Sequence, residues 1–117
     1  MTGQSLSESI AALDGMLFID GGFRAGQGMR LPVENPATGE VIGHIAAATA
    51  AEVEAAVQAA RRAFRPWAAE LPKTRANALH RLGDLIAADV DAMARIMTAE
   101  QGKPVNEARG EILKLAE

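Results

Sequence analysis

The main change in the rhythm of apolar and polar residues along this chain falls at Thr49. Before it, short runs of strand formers are separated by glycine-rich turns; after it, apolar residues recur every three or four positions, the period of an amphipathic helix. Thr49-Ala50-Ala51-Glu52 has the form of a capping box, and Val53, Ala56, Val57, Ala60 and Phe64 then fall on one stripe. Glu52 and Glu54 near the start, with Arg61, Arg62 and Arg65 near the end, complement the helix dipole. The pattern predicts that Pro66 ends this helix. A second helix is predicted from Pro72 to about Ala88, burying Ala76, Leu79, Leu82, Gly83 and Ile86. Glycine in mid-helix costs about 1 kcal/mol against alanine, so Gly83 points to another backbone lying close. The third helix is capped by Asp89 and buries Val90, Met93, Ala94 and Met97, and the fourth starts at Pro104 with Val105, Ala108, Ile112 and Leu115 at helical spacing.

In the first half, Leu6, Ile10 and Leu13 follow Ser5 at helical spacing, with Glu8 in position for a capping box and Asp14-Gly15 as a stop. So short a helix is marginal alone, and residues 1–15 are expected to form a short docked turn or a loose arm before a body over residues 16–117. Met16 to Ile19 and Phe23-Arg24 flank Asp20-Gly21-Gly22, the pattern of a β-hairpin. Met29 to Glu34 alternates as a half-buried strand, Asn35 to Glu40 is a turn, and Val41 to Ala46 is another strand. The chain is thus α+β: N-terminal hairpin strands followed by about four helices.

The 117 residues suffice for one domain with a real core, and 49% apolar content marks a globular chain. Much of that content is alanine and aromatics are scarce, which favours close helix packing with little area per contact. A formal charge of −3 argues against a nucleic-acid surface. The sequence has no long uncharged apolar run and no secretory leader pattern, so a cytoplasmic location away from membranes is expected. With no cysteine the chain holds no disulfide, thiolate metal site or cysteine nucleophile. At Leu115-Ala116-Glu117 the last helix lacks a capping glycine and its apolar repeat is cut short, the pattern of a truncated chain.

Around the corner Gly102-Lys103-Pro104 the sequence runs Thr-Ala-Glu-Gln-Gly-Lys-Pro-Val-Asn-Glu-Ala-Arg-Gly-Glu. Gly102 suits the left-handed position that closes a helix, and Pro104 suits the first turn of the next. Taken with Phe18-Ile19-Asp20-Gly21-Gly22-Phe23, Asn35-Pro36-Ala37-Thr38-Gly39-Glu40-Val41-Ile42, the Ala56/Ala60/Ala63/Phe64 helix with Trp67, and Arg75 with Leu79 and Leu82, this corner resembles the N-terminal portion of the aldehyde dehydrogenase superfamily. Glu-Gln-Gly-Lys-Pro followed by Glu-Ala-x-Gly-Glu is most similar to the succinate-semialdehyde dehydrogenase branch.

The resemblance implies a parent enzyme of α/β fold with a Rossmann-type coenzyme domain, oxidising an aldehyde such as succinate semialdehyde to its acid with NAD or NADP. A cysteine thiolate would attack the carbonyl, hydride would pass to nicotinamide, and water would hydrolyse the thioester. The nucleophile, general base and most coenzyme contacts lie later in such enzymes, so no catalytic or cofactor-binding residue is assigned here and the chain alone is expected to be inactive. The implied partners are the remainder of the enzyme, further copies in a homo-oligomer, and the small aldehyde. The resemblance also implies a Na+ or K+ site in which the Glu100 carboxylate joins the backbone carbonyls of Val33 and Glu34, oxygen donors that suit a hard cation. The other reading of Glu100 is a solvated helix-end carboxylate or a partner for Lys103. A reading from another class is a free-standing, mostly helical scaffold or interaction module without catalysis.

The remaining polar residues read more plainly. Lys103 has no glycine-rich loop around it and is a cation at a helix C-terminus. Glu107 and Glu111 form a polar face, with Lys114 the expected partner of Glu111. His44 and His80 lack further ligands for a metal. Met93 and Met97 fill the core, Trp67 covers the end of the first long helix, and Arg75 is a buried-edge or interface residue.

Overall fold

The computed structural model describes residues 5–117. An eight-residue helix α1 (Leu6–Leu13) comes first; Ser5 accepts a hydrogen bond from the Glu8 N–H and Glu8 returns one from the Ser5 N–H, completing the expected capping box. Helix α1 docks against the strand over Val41–Ala46 and the helix over Val90–Gln101.

Strands β1 (Met16–Ile19) and β2 (Gly22–Ala25) form the predicted antiparallel hairpin, with Phe18 opposite Phe23 and their rings edge to face, centroids 5.0 Å apart. Asp20 and Gly21 both take positive φ, 56° and 77°, as a two-residue turn matched to strand twist requires. Strands β3 (Arg30–Glu34) and β4 (Val41–Ala46) form a second, separate hairpin around the Asn35 turn. Its register slips between Val33 and Glu34: Val33 faces Gly43, Glu34 faces Val41, and Ile42 is the extra residue on β4.

Helix α2 (Ala50–Ala69) opens with the predicted Thr49/Glu52 capping box. It does not end at Pro66 but continues through Ala69. Proline removes one N–H, which leaves the Arg62 carbonyl without its helical donor. The whole stretch from residue 60 to 70 is exposed, so water can serve that carbonyl. Trp67, expected as a cover, is itself exposed.

Helices α3 (Pro72–Ala88), α4 (Val90–Gln101) and α5 (Val105–Ala116) follow, making five helices with α1 among the described residues; Asp89 stands at the N-cap position of α4, but its side chain does not make the expected capping bond. The core is small. Val90 and Ala94 of α4 meet Ala108 and Ile112 of α5, with Ile86, Met93 and Met97 packed around them. Gly83 is where another backbone comes close: a Cβ there would collide with the Ala116 carbonyl oxygen.

The predicted apolar faces of α2 and α3 are largely uncovered. Val53, Val57 and Phe64 are exposed, as are Leu79 and Leu82; the elements among the described residues leave these faces mostly open. The same openness appears in the dimensions. The radius of gyration is 16.6 Å, against about 13 Å for a compact chain of this length.

Candidate functional site

The Gly102 corner sits against the Asn35–Pro36 turn. Gly102 closes α4 with φ 74°, donating its N–H to the Thr98 carbonyl at 2.9 Å. A Cβ on Gly102 would lie 2.9 Å from Pro36 Cγ, so the corner and the turn are in contact. Beside this contact is a cavity of about 340 Å³ walled by Leu6, Asn35, Ala37, Thr98, Ala99 and Val105, among others. Thr98 Oγ1 is buried and has no hydrogen-bond partner among the described residues.

Val33 and Glu34 straddle the register slip that leads into the Asn35 turn, and Glu100 stands two residues before the corner. None of the three lines the cavity, and Glu100 is exposed, with no hydrogen bond or ion pair among the described residues. The structure thus brings their segments together at Pro36 and Gly102.

The other expected pairings change. Lys103 does not pair with Glu100; it donates to Glu111, displacing Lys114 as the partner. A helix-end lysine reaching back over the corner meets the second turn of α5, and this fastens the elbow. Arg109 pairs with Asp91 across the α4–α5 contact, and Arg62 pairs with Asp20, tying α2 to the first hairpin. Glu107 lies on the exposed face of α5. No cluster of three or more His, Cys, Asp or Glu residues fit for a metal occurs among the described residues.

Two carboxylates do more than their sequence positions suggest. Glu52, buried, accepts the Thr49 N–H and hydroxyl, both at 2.8 Å, and also the Gln27 N–H at 2.9 Å. The Thr49 backbone donor, foremost, holds its carboxyl below the ordinary glutamate range. Asp14, read as a helix stop, is a hub: it accepts the His44 backbone N–H at 2.5 Å, has His44 Nδ1 at 3.3 Å, and pairs with Arg30. The His44 amide is the chief cause lowering its acidity range. Nothing in spacing links Asp14 to residues 16 and 30 positions away, so its role became visible through the fold.

Among the described residues no helix is long and apolar enough to cross a membrane. The profile of the aldehyde dehydrogenase family matches residues 23–117. The chain is 47% identical over 96 residues to a glutarate-semialdehyde dehydrogenase of Pseudomonas aeruginosa, covering 81% of this chain and 20% of that protein. It is 43% identical over 88 residues to the NADP(+) succinate-semialdehyde dehydrogenase of Escherichia coli, covering 75% of this chain and 18% of that one. An aldehyde dehydrogenase structure from Brucella melitensis superposes with a TM-score of 0.84 at 40% identity, over 91% of this chain and 22% of that one. Betaine aldehyde dehydrogenase of Staphylococcus aureus, solved with NAD+, gives a TM-score of 0.82 at 29% identity, over 92% and 22% of the two chains. The chain therefore spans about a fifth of the length of the relatives it matches. By sequence and by fold, it belongs to the aldehyde dehydrogenase family.

Proposed function

We propose that this chain is the N-terminal part of an NAD(P)-dependent dehydrogenase that oxidises a semialdehyde of a short dicarboxylic acid, succinate semialdehyde among them, to the acid. The observation that carries this reading is the 47% identity to a glutarate-semialdehyde dehydrogenase along most of the chain. Nicotinamide, when bound by the complete enzyme, supplies the hydride acceptor. The thiolate nucleophile must come from elsewhere in the polypeptide, since this segment has no cysteine. The chain's own contribution is support: residues 1–15 act as an arm, and residues 16–117 form the start of the coenzyme-binding domain. The uncovered faces of α2 and α3 support docking against the remainder of a cytoplasmic, homo-oligomeric enzyme, and they weigh against a free-standing module.

Glu100, with the carbonyls of Val33 and Glu34, holds Na+ or K+ in this reading. The donor set is all oxygen, as a hard cation requires. Further support comes from the packing of Pro36 on Gly102, which brings the segment after Glu34 against the segment after Glu100.

Incubation of the isolated chain with succinate or glutarate semialdehyde and either coenzyme tests the main reading, together with the reading frame after Glu117. The expected results are no reduced coenzyme and a long downstream frame containing a cysteine. Turnover by the chain alone, or a stop codon directly after Glu117, would contradict it. For the cation, an unchanged response to Na+ or K+ in a Glu100→Ala full-length enzyme would remove Glu100 from the site.

A further inference from the structure

We infer that Asp14 and Ile10 of the α1 segment are positioning residues for the Val33–Glu34 register slip, and through it for the two carbonyls assigned to the cation. The cation half of this statement rests on the reading in the preceding subsection.

Ala47 donates its N–H to the Met29 carbonyl at 2.8 Å, and antiparallel pairs alternate between hydrogen-bonded and open. Leu31–Ile45 and Val33–Gly43 are then the bonded pairs, and Pro32–His44 is an open one. Pro32, which has no N–H, therefore stands where the ladder asks for none. His44 turns its N–H and carbonyl away from β3, toward the free edge of β4.

Both of those groups are taken by residues at the end of α1. Asp14 Oδ1 accepts the His44 N–H at 2.5 Å, and the Gly15 N–H donates to the His44 carbonyl at 2.8 Å. Asp14 also pairs with Arg30 at the start of β3, so one carboxylate grips both strands of the hairpin. One residue along β4, Gly43 lies under Ile10: a Cβ there would be 2.9 Å from Ile10 Cγ2 and 3.5 Å from Asp14 Oδ1. Gly43 is the direct partner of Val33, and the slip begins immediately after this pair. The α1 segment thus braces the hairpin from behind at the pair where its register changes. Loss of the brace frees the slip to move along the hairpin, which would turn the Val33 and Glu34 carbonyls to other directions.

Amide exchange measured by NMR on this chain tests the inference, in NaCl and in choline chloride at equal ionic strength. Asp14→Ala is expected to speed exchange at Val33, Glu34 and Gly43 by about tenfold or more, as loss of a charge-assisted bond implies, while Ala108 and Ile112 keep their rates. Asp14→Asn, which retains an oxygen for the His44 N–H, should fall between, and Ile10→Ala should affect the same amides. The NaCl concentration giving half-maximal protection should rise in Asp14→Ala and recover in part in Asp14→Asn, a response that a general loss of stability would not produce. Unchanged hairpin rates, or acceleration spread equally over all helices, would overturn the positioning role. If Glu100→Gln keeps the wild-type NaCl response, or the wild type has none, the cation reading falls by itself, and the hairpin rates alone decide for or against the brace.

Discussion

The Ala116 carbonyl oxygen occupies the space that a side chain on Gly83 would need. This contact sets how closely α5 approaches α3. Alanine at position 83 would recover about 1 kcal/mol of helix propensity. It would also force the α5 end away, and overpacking of this kind costs about 1–3 kcal/mol. Gly83→Ala should therefore lower stability, seen as a lower melting temperature or denaturant midpoint. A more stable variant would show that the two helices stand further apart than described.

Glu52 makes the start of α2 sensitive to acid. Its carboxyl titrates below the ordinary value of 4.5, chiefly because the Thr49 N–H donates to the charged form. A depressed folded value means that the stabilisation is complete above the unfolded value and is lost as pH falls through the folded one. Asp14 acts with the same sign, below its ordinary 3.8. Stability should be level above about pH 5 and decline below about pH 4.5. Thr49→Ala should cost about 1 kcal/mol at neutral pH by loss of the cap. Glu52→Gln should flatten the acid limb, and an acid limb identical to the wild type would remove Glu52 from this role.

At the corner, Gly102 combines a φ of 74° with contact to Pro36. Left-handed backbone costs a residue with a side chain about 1–2 kcal/mol. Gly102→Ala should destabilise by at least that amount, whereas Gly110→Ala, in mid-helix with open space around it, should stabilise. Equal effects of the two substitutions in equilibrium unfolding would contradict the corner geometry.

Between α3 and the end of α5 runs an open groove of about 430 Å³, lined by Ala76, Leu79, Leu82, Ile86 and Leu115. Leu79 is 62% and Leu82 52% exposed. The isolated chain should bind a hydrophobic dye or self-associate. Leu79→Ser with Leu82→Ser should reduce both while changing stability little, because these side chains touch little of the small core. A monomer with a sharp melt and no dye binding would argue that the faces are covered.

The elements were legible because local signals agree at their ends. Ser5/Glu8, Thr49/Glu52, Pro72 and Gly102 mark four helix boundaries, and Asp20-Gly21 marks a hairpin. Pro66 misled because a proline near an exposed helix end loses a single bond that solvent can replace. The stripes on α2 and α3 were correctly read as apolar, but periodicity cannot say which chain covers a face. The corner and the Asn35–Pro36 turn were visible as motifs, and their contact was not, since about 65 residues separate them. Asp14 and Lys103 have partners set by tertiary approach, beyond any rule of local spacing.

The most direct test replaces the matching N-terminal segment of the Pseudomonas aeruginosa glutarate-semialdehyde dehydrogenase with residues 23–117 of this chain. A soluble chimera that reduces coenzyme with glutarate semialdehyde is expected, because the segment supplies supporting structure and the remainder supplies the chemistry. A chimera that folds to the parental oligomer yet gives no turnover, with the parental enzyme active in the same assay, would contradict it.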